Sequence, residues 1–178
     1  MKNITILFLC LIMGSIVFSQ TTESNYPVPE YINVPMYYDP TTKELGTLER
    51  QTASHSTRPT SPISYESVYY IDRMKSPIRF GAASKPEILV KISNPDIDPS
   101  TQVQMNVFKV NPHPRRERRE FVNASSAVYV GSKVNNETLP INFKRVAPGV
   151  YIIKYQFEPG EYFIGVKGNT YLYAFGVD

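Results

Sequence analysis

Apolar and polar side chains alternate along most of the chain in short runs that are typical of β-strands. The clearest run is residues 101–110, in which Val103, Met105 and Val107 share one face and polar side chains share the other. Successive side chains of a strand point to opposite faces, so this run predicts a sheet with one buried and one wet face. Similar patterns predict strands at 67–72, 76–80, 87–92, 119–123 and 127–131.

Two further segments are assigned in the N-terminal half. In residues 31–39, the side chains of Ile32, Val34, Met36 and Tyr38 fall on one face of a predicted strand. Pro35 lacks a backbone donor, which places this strand at a sheet edge. Residues 51–64 are a run of Ser, Thr and Pro with little to bury, and they predict a long exposed loop.

The C-terminal third divides into four apolar runs separated by two-residue turn candidates. These candidates are Pro148-Gly149, Pro159-Gly160 and Gly168-Asn169. Glycine supplies the positive φ that such tight turns need, so the four runs predict an antiparallel four-strand meander. In the last run, aromatic side chains lie on one face and Leu172 and Ala174 on the other, which predicts a strand covered on both sides.

Composition supports the same fold class. After residue 19 the chain holds 57 Val, Ile, Thr, Tyr and Phe residues against 15 Leu, Ala and Met residues. β-Branched and aromatic side chains favour strands over helices. The sequence therefore predicts an all-β domain over residues 31–178, an antiparallel β-sandwich of immunoglobulin-like or jelly-roll type. A β-barrel is the alternative.

The first 19 residues have the pattern of a signal peptide. Lys2 precedes an apolar run from Ile4 to Phe18, and Ser19 is a permissible residue before a cleavage site. The run is too short for a typical membrane span, so cleavage would leave a flexible leader at 20–30 and no transmembrane segment. Cys10, the one cysteine, would be lost with it. We expect an exported protein, periplasmic or secreted, without disulfides or thiolate chemistry.

Two stretches carry a resemblance to known proteins. The Phe18-Ser19-Gln20 end of the signal is similar to signals of Bacteroidetes, which implies a Gram-negative source. The segments Pro159-Gly160-Glu161-Tyr162 and 175–178 resemble the ends of exported bacterial immunoglobulin-like β-sandwich proteins of unassigned function. This resemblance implies the sandwich fold and no particular activity.

Candidate catalytic residues are few. Only His55 and His113 are available as imidazole bases, and both lie in segments without a catalytic motif. The close carboxylate pairs Asp96 with Asp98 and Glu158 with Glu161 lie in predicted turns, where such residues cap the backbone. We therefore expect no enzyme and no cofactor. A hydrolase built on a carboxylate pair remains a third hypothesis.

Three groups of residues are candidates for binding. Asn94, Asp96 and Asp98 place oxygen atoms at alternate positions, as a weak candidate for a calcium site. An arginine cluster offers bidentate donors to phosphate or sulfate, and two exposed tyrosines offer platforms for sugars. The cluster and the tyrosines are Arg115, Arg116, Arg118, Arg119, Tyr37 and Tyr69.

These features favour binding over catalysis. We expect an exported non-catalytic protein that binds another cell-envelope or secreted protein through a sheet edge or a loop. A carbohydrate- or polyanion-binding module, with a glycan or an anionic lipid headgroup as ligand, is the alternative. The net charge after residue 19 is only +2, which argues against a nucleic-acid partner.

Overall fold

The computed structural model describes residues 25–81, 86–111, 117–127, 131–133 and 138–178. Its regular secondary structure consists of strands, with one short 3-10 turn at Pro99–Thr101. The strands are β1 Met36–Asp39, β2 Glu44–Thr47, β3 Glu49–Thr52, β4 Ser54–Ser61, β5 Ser64–Asp72, β6 Arg79–Phe80, β7 Glu87–Lys91, β8 Val103–Val107, β9 Lys109–Asn111, β10 Arg118–Ala127, β11 Gly131–Lys133, β12 Asn142–Ala147, β13 Val150–Lys154, β14 Gly160–Val166 and β15 Tyr171–Val177.

The strands form three sheets. Sheet A has the order β12-β13-β7-β1-β2, and sheet B has the order β3-β15-β14-β8, with β6 alongside β15. Sheet C has the order β11-β10-β5-β4, with β9 also paired to β10. All pairings are antiparallel except that of β6 with β15. Each sheet has two open edges within the described chain, which confirms the sandwich prediction over a closed sheet.

Sheets A and B pack face to face around the main core. Sheet A contributes Ile88, Val90 and Ile153, and sheet B contributes Met105 and Phe175, all at most 1% exposed. Burial of this size is the main favourable term in folding, because it removes apolar surface from water. Ile88, Val90 and Ile92 of the β7 run and Val103 and Met105 of β8 are buried as their patterns predict, whereas Val107 at the end of β8 is exposed.

The strand order of these two sheets is that of an immunoglobulin sandwich. Constant-type immunoglobulin domains place strands A, B, E and D in one sheet and C, F and G in the other. Here β1, β7, β13 and β12 occupy the first set of places in that order, and β8, β14 and β15 occupy the second. The remaining strands, β2–β6 and β9–β11, are two insertions into this frame.

Sheet C is built from these two insertions and forms a third layer on the outer face of sheet B. Ile71 of β5 and Phe121 of β10 pack against Phe163 and Ala174 of sheet B, together with Phe108. Phe121 and Phe163 have ring centroids 4.7 Å apart. Sheet B is therefore the central layer, and β15 is covered on both faces as its sequence predicts.

The predicted C-terminal meander is wrong in its middle turn. The turns at Gly149 and Gly168 have positive φ values of 71° and 81° and join β12 to β13 and β14 to β15. Pro159-Gly160 forms no hairpin, because the chain crosses there from sheet A to sheet B. The crossing buries Phe157 against Tyr162 and Phe175, at 5.3 and 5.5 Å between ring centroids. The region is two hairpins on opposite sheets.

A tyrosine fixes this crossing. The hydroxyl of Tyr162 donates to the carbonyl of Glu158 at 2.6 Å and accepts from the N–H of Glu158 at 3.1 Å. Such a tyrosine corner at the start of strand F recurs in immunoglobulin-type sandwiches. Burial of the ring raises the pKa of the Tyr162 phenol.

We expect Tyr162→Phe to lower the free energy of unfolding by about 1–3 kcal/mol, because both backbone groups of Glu158 lose their partner. Tyr155→Phe is the matched control, since the Tyr155 ring also packs on this cluster, at 5.2 Å from Phe157. Its hydroxyl has no hydrogen bond in the described chain, so its change should stay within about 0.5 kcal/mol. Equal losses in urea denaturation would contradict the role of the hydroxyl.

Two N-terminal predictions are also corrected. Only residues Met36–Asp39 of the 31–39 segment form a strand, because Asn33 has a positive φ of 61° and Pro35 cannot donate to a ladder. This strand lies between β7 and β2, so its predicted place at a sheet edge is wrong, because Pro35 precedes the strand and removes no donor from it. The 51–64 segment is largely strand and not loop, since β4 pairs with β5. Its side chains are mostly exposed as expected, so the backbone and not a buried face holds it.

Membrane-spanning helices are not found in the part of the chain that the structure describes. The predicted signal peptide at 1–19, with Cys10, lies outside the described residues, as does most of the 127–131 strand prediction.

Candidate functional site

The predicted arginine cluster does not form one surface. Arg115 and Arg116 lie outside the described residues. Arg118 is half-buried, pairs with Glu120 and stacks on Tyr70 at 4.3 Å from the ring centroid. Arg119 is fully buried. The expectation that Arg119 binds a ligand at the surface is therefore corrected, because β10 turns its side chain inward between sheets B and C.

Arg119 is the centre of a buried ionic network. Its Nη2 atom lies 2.8 Å from both carboxylate oxygens of Glu49, and its Nη1 atom donates to Glu161 at 3.3 Å. The guanidinium also donates to the backbone carbonyl of Arg73 at 3.2 Å and lies 5.3 Å from the Phe108 ring centroid. A buried charge is tolerated only when it is paired and hydrogen-bonded, and these contacts meet that condition.

The network continues to the surface through Arg79. This guanidinium binds Glu161 on one side and Asp178 on the other, and Glu161 also accepts from the N–H of Ser76 at 2.8 Å. The carboxylates of Asp178 and Glu161 raise the pKa of Arg79 further above its usual value. An added Cβ at Gly176 would lie 2.2 Å from Arg79, so the bare glycine makes room for this pair.

The ion pair of Arg79 with Asp178, at the surface end of the network, makes the stability of the protein depend on pH. Hydrogen bonds from Arg79 lower the pKa of Asp178 below its usual value. The stabilising contribution of this pair is therefore present above the unfolded-state pKa of about 3.9 and is lost as the pH falls through the lower folded-state value. We expect the Asp178 carboxyl to titrate below its ordinary range by NMR, and at the ordinary value in Arg79→Met. An unshifted carboxyl in the unaltered protein would contradict the pairing.

The predicted tyrosine platforms are both engaged in packing. The Tyr37 ring packs on Phe80 at 5.3 Å and covers Gly46, where an added Cβ would lie 2.1 Å from the ring. Tyr69 stacks on Phe121 at 5.8 Å, and His55 lies 4.7 Å from its other side. Both rings are half-buried, so part of the surface of each is taken up by these packing contacts.

The predicted calcium ligands serve the local backbone. Asn94 accepts from the N–H of Asp96 at 3.0 Å, and Asp98 accepts from the N–H of Ser100 at 2.9 Å. The bond from Ser100 lowers the pKa of Asp98. Among the described residues, no three His, Cys, Asp or Glu side chains are grouped closely enough to hold a metal ion.

The candidate catalytic residues are likewise separate. His113 lies outside the described residues, and Glu161 is committed to Arg119 and Arg79. Glu158, its predicted partner, contributes its backbone to the tyrosine corner. Sequence patterns missed Glu49 and Glu161 as network members, because nothing in their local spacing indicates that two distant strands bring them to one arginine.

The described surface includes a groove and a cleft. A groove of about 550 Å³ lies at the side of the sandwich between β1 and β6, lined by Tyr37, Ile78, Phe80 and the paired Arg79. A smaller cleft of about 280 Å³ lies on sheet B around Gly165 and Leu172. The polar residues that line this cleft are Thr101, Gln102, Gln104, Lys167 and Asn169.

The longest edge strand of the described sheets is β4. It has eight residues, and within the described chain it pairs with β5 alone. Its pairing runs from Ser54 opposite Tyr70 to Ser61 opposite Ser64, with a bulge after Pro59. One side of this backbone ladder therefore has no partner strand among the described residues.

Comparisons of the chain with models of known protein families, with curated proteins and with solved structures found no match.

Proposed function

We propose that this chain is an exported, non-catalytic binding protein that holds another cell-envelope or secreted protein by pairing one of its strands with β4. The observation that carries the proposal is the free edge of this eight-residue strand. An unpaired edge offers a row of N–H and C=O groups to an incoming strand. Extended peptides bind to such edges through main-chain hydrogen bonds.

The chemistry of β4 supports this use. Natural proteins protect edge strands with charges and prolines. Residues 54–57 contain neither, and three of the four, Ser54, His55 and Thr57, are exposed. The one charged residue of β4, Arg58, lies 2.6 Å from Glu66 and 3.3 Å from Glu120, so its charge is matched within sheet C. An incoming strand would meet no uncompensated charge there.

The other described edges offer less. β2 and β3 have four residues each, and β8 is bridged by Thr138 opposite Asn106. β12 has six residues but carries Lys144 and Arg145, both exposed and without an ion pair in the described chain. Unpaired cations are the protection that natural edges carry, so β12 is the weaker candidate.

A pair of proline variants tests the proposal. Adjacent residues of a strand direct their N–H groups to opposite sides, so proline at Ser56 and proline at Thr57 remove donors from opposite edges of β4. The variant that loses a bond to β5 should melt at a lower temperature. The other should keep the melting temperature of the unaltered protein and lose its partner in pull-downs from envelope extract.

The proline variant that keeps the melting temperature of the unaltered protein gives the decisive result. Retention of the partner by that variant would overturn β4 as the binding edge, as would pull-downs in which the unaltered protein recovers nothing above background. Lys144→Pro in β12 is the matched control, and we expect it to leave recovery of the partner unchanged.

A further inference from the structure

We propose that the cleft on sheet B is a binding site for an acidic saccharide. It lies in a row of directly opposed residues that crosses three strands: Gln104 of β8, Gly165 of β14 and Leu172 of β15. Residues on the same row of adjacent strands share one face of the sheet. This face is the one that sheet C covers near Phe163, and the cleft lies beyond that cover.

Gly165 forms the floor of the cleft. A Cβ added there would meet no atom within 4 Å, so the missing side chain leaves open space and not a close packing contact. Glycine weakens the interior of a strand, and it often marks a place where a ligand approaches the backbone closely. The other glycine in the interior of a central strand, Gly176, is explained by the Arg79 side chain, whereas nothing in the described chain fills the space over Gly165.

The polar groups around the floor suit a ligand rich in hydroxyls. The Gln104 amide and the Lys167 ammonium have no hydrogen-bond partner in the described chain and are exposed. Gln102 donates to Thr101 at 3.0 Å, which leaves its amide oxygen to accept. Amides both donate and accept, as sugar hydroxyls do, and pockets gain their specificity from a few such groups.

The turn beside the cleft is held by hydrogen bonds. Asn169 accepts from the N–H of Tyr171 at 3.0 Å and donates to the hydroxyl of Tyr173 at 2.7 Å. Strand alternation directs the ring of Tyr171, with Arg50 at 4.3 Å from its centroid, to the opposite face of sheet B from Leu172. The turn therefore fixes the shape of the cleft, and the contacts to a ligand come from the amides and Lys167.

The charge of the lining determines the kind of saccharide. Among the described residues that line the cleft there is no carboxylate, and Lys167 is the charged one. The cleft is therefore positive and favours a sugar that carries a carboxylate or a sulfate. Its volume of about 280 Å³ is at the lower end for small-molecule sites, which suits one sugar residue with the rest of the chain in solvent.

Calorimetric titration with trigalacturonate, a sulfated trisaccharide and neutral maltotriose tests the proposal. We expect one of the two acidic sugars to bind at least about tenfold more tightly than maltotriose, a difference of about 1.4 kcal/mol. Gly165→Val should weaken that binding by at least about tenfold, because its side chain fills the floor. It should also keep or raise the melting temperature, since valine favours strands.

Charge variants and an inorganic anion complete the test. Lys167→Gln should weaken binding of the acidic sugar by about fivefold, and Lys144→Gln, the same change in sheet A, should leave it unchanged. Failure of both acidic sugars to bind, full binding by Gly165→Val, or inorganic sulfate binding as tightly as the acidic sugar would each overturn the proposal. The β4 proline variants should bind the sugar as the unaltered protein does. The saccharide proposal and the β4 proposal are therefore tested independently.

Discussion

Replacement of Arg119 by methionine is expected to lower the free energy of unfolding by about 3–5 kcal/mol, the usual cost of removing one partner from a buried ion pair. Methionine fills much of the same space, so the loss arises from charge and not from a cavity. Glu49 and Glu161 would remain as buried carboxylates on sheet B without their shared guanidinium. Because the protein has no tryptophan, urea denaturation is monitored by far-UV circular dichroism to measure the change in the free energy of unfolding.

Arg58→Met is the matched control for this prediction. Arg58 also pairs with two glutamates, but its side chain is 45% exposed. Exposed ion pairs contribute about 0–1 kcal/mol, so its loss should be small. Arg119→Lys, which keeps the charge and loses the bidentate geometry, should lie between the two methionine variants. Similar losses in Arg119→Met and Arg58→Met would show that the buried network is not what joins sheets B and C.

Phe175→Ala is the second large expected effect. Phe175 is completely buried in β15, with Phe157, Tyr162 and Phe80 at 5.4 to 5.8 Å between ring centroids. These neighbours come from three separate segments and cannot all move into the space, so we expect a loss of about 3–5 kcal/mol in the free energy of unfolding.

Tyr171→Ala provides the comparison in the same strand. Tyr171 is 36% exposed and loses mainly its contact with Arg50, so the change should be about 1 kcal/mol or less. If both variants lost the same stability, the cluster around Phe175 would not be the core of the sandwich. Denaturant midpoints for the two variants, with equal m-values, measure the difference.

Strands with one buried face were predictable from sequence because their side-chain pattern records the burial. Ile88 and Val90 in β7, and Met105 in β8, lie in the core where alternation placed them. The two-sided cover of β15 was also predictable, since both of its faces are apolar. In these strands the local pattern and the tertiary environment agree.

Turn chemistry was less informative about topology. Pro148-Gly149 and Pro159-Gly160 look equivalent in sequence, yet only the first closes a hairpin. The difference arises from Tyr155, Phe157 and Tyr162, whose rings pack together and carry the chain across the sandwich. A dipeptide reports which dihedral angles are allowed, whereas distant packing determines which sheet the next strand joins.

Polar residues were the hardest to place. β4 is held by backbone pairing with β5, and its side chains are mostly exposed. Its sequence therefore lacks the apolar alternation that predicts a strand. Arg118 and Arg119 are adjacent in a charged run, but strand alternation directs them to opposite faces of sheet C. Arg119 therefore belongs to the interior network and Arg118 to the Tyr70 face. Phe121 and Val122 follow this charged run and indicate a strand. Extending that strand back over the run would have placed Arg118 and Arg119 on opposite faces.

Sheet C connects the stability of the molecule with its proposed function. Arg119 ties β10 to the immunoglobulin-like frame, and β5, which pairs with β10, supports β4 at the far edge. The edge that we propose to bind a partner strand thus belongs to sheet C. The ion pairs of Arg119 and the Phe121–Phe163 contact attach this sheet to sheet B.

Site-specific photo-crosslinking in whole cells tests directly whether β4 is the edge that binds a partner protein. A photoreactive residue would replace Thr57 in β4 in one variant and Lys144 in β12 in another, both exposed positions on edge strands. We expect one discrete protein adduct from position 57 and none from position 144. An adduct from position 144 alone, or none from either position, would contradict the β4 proposal.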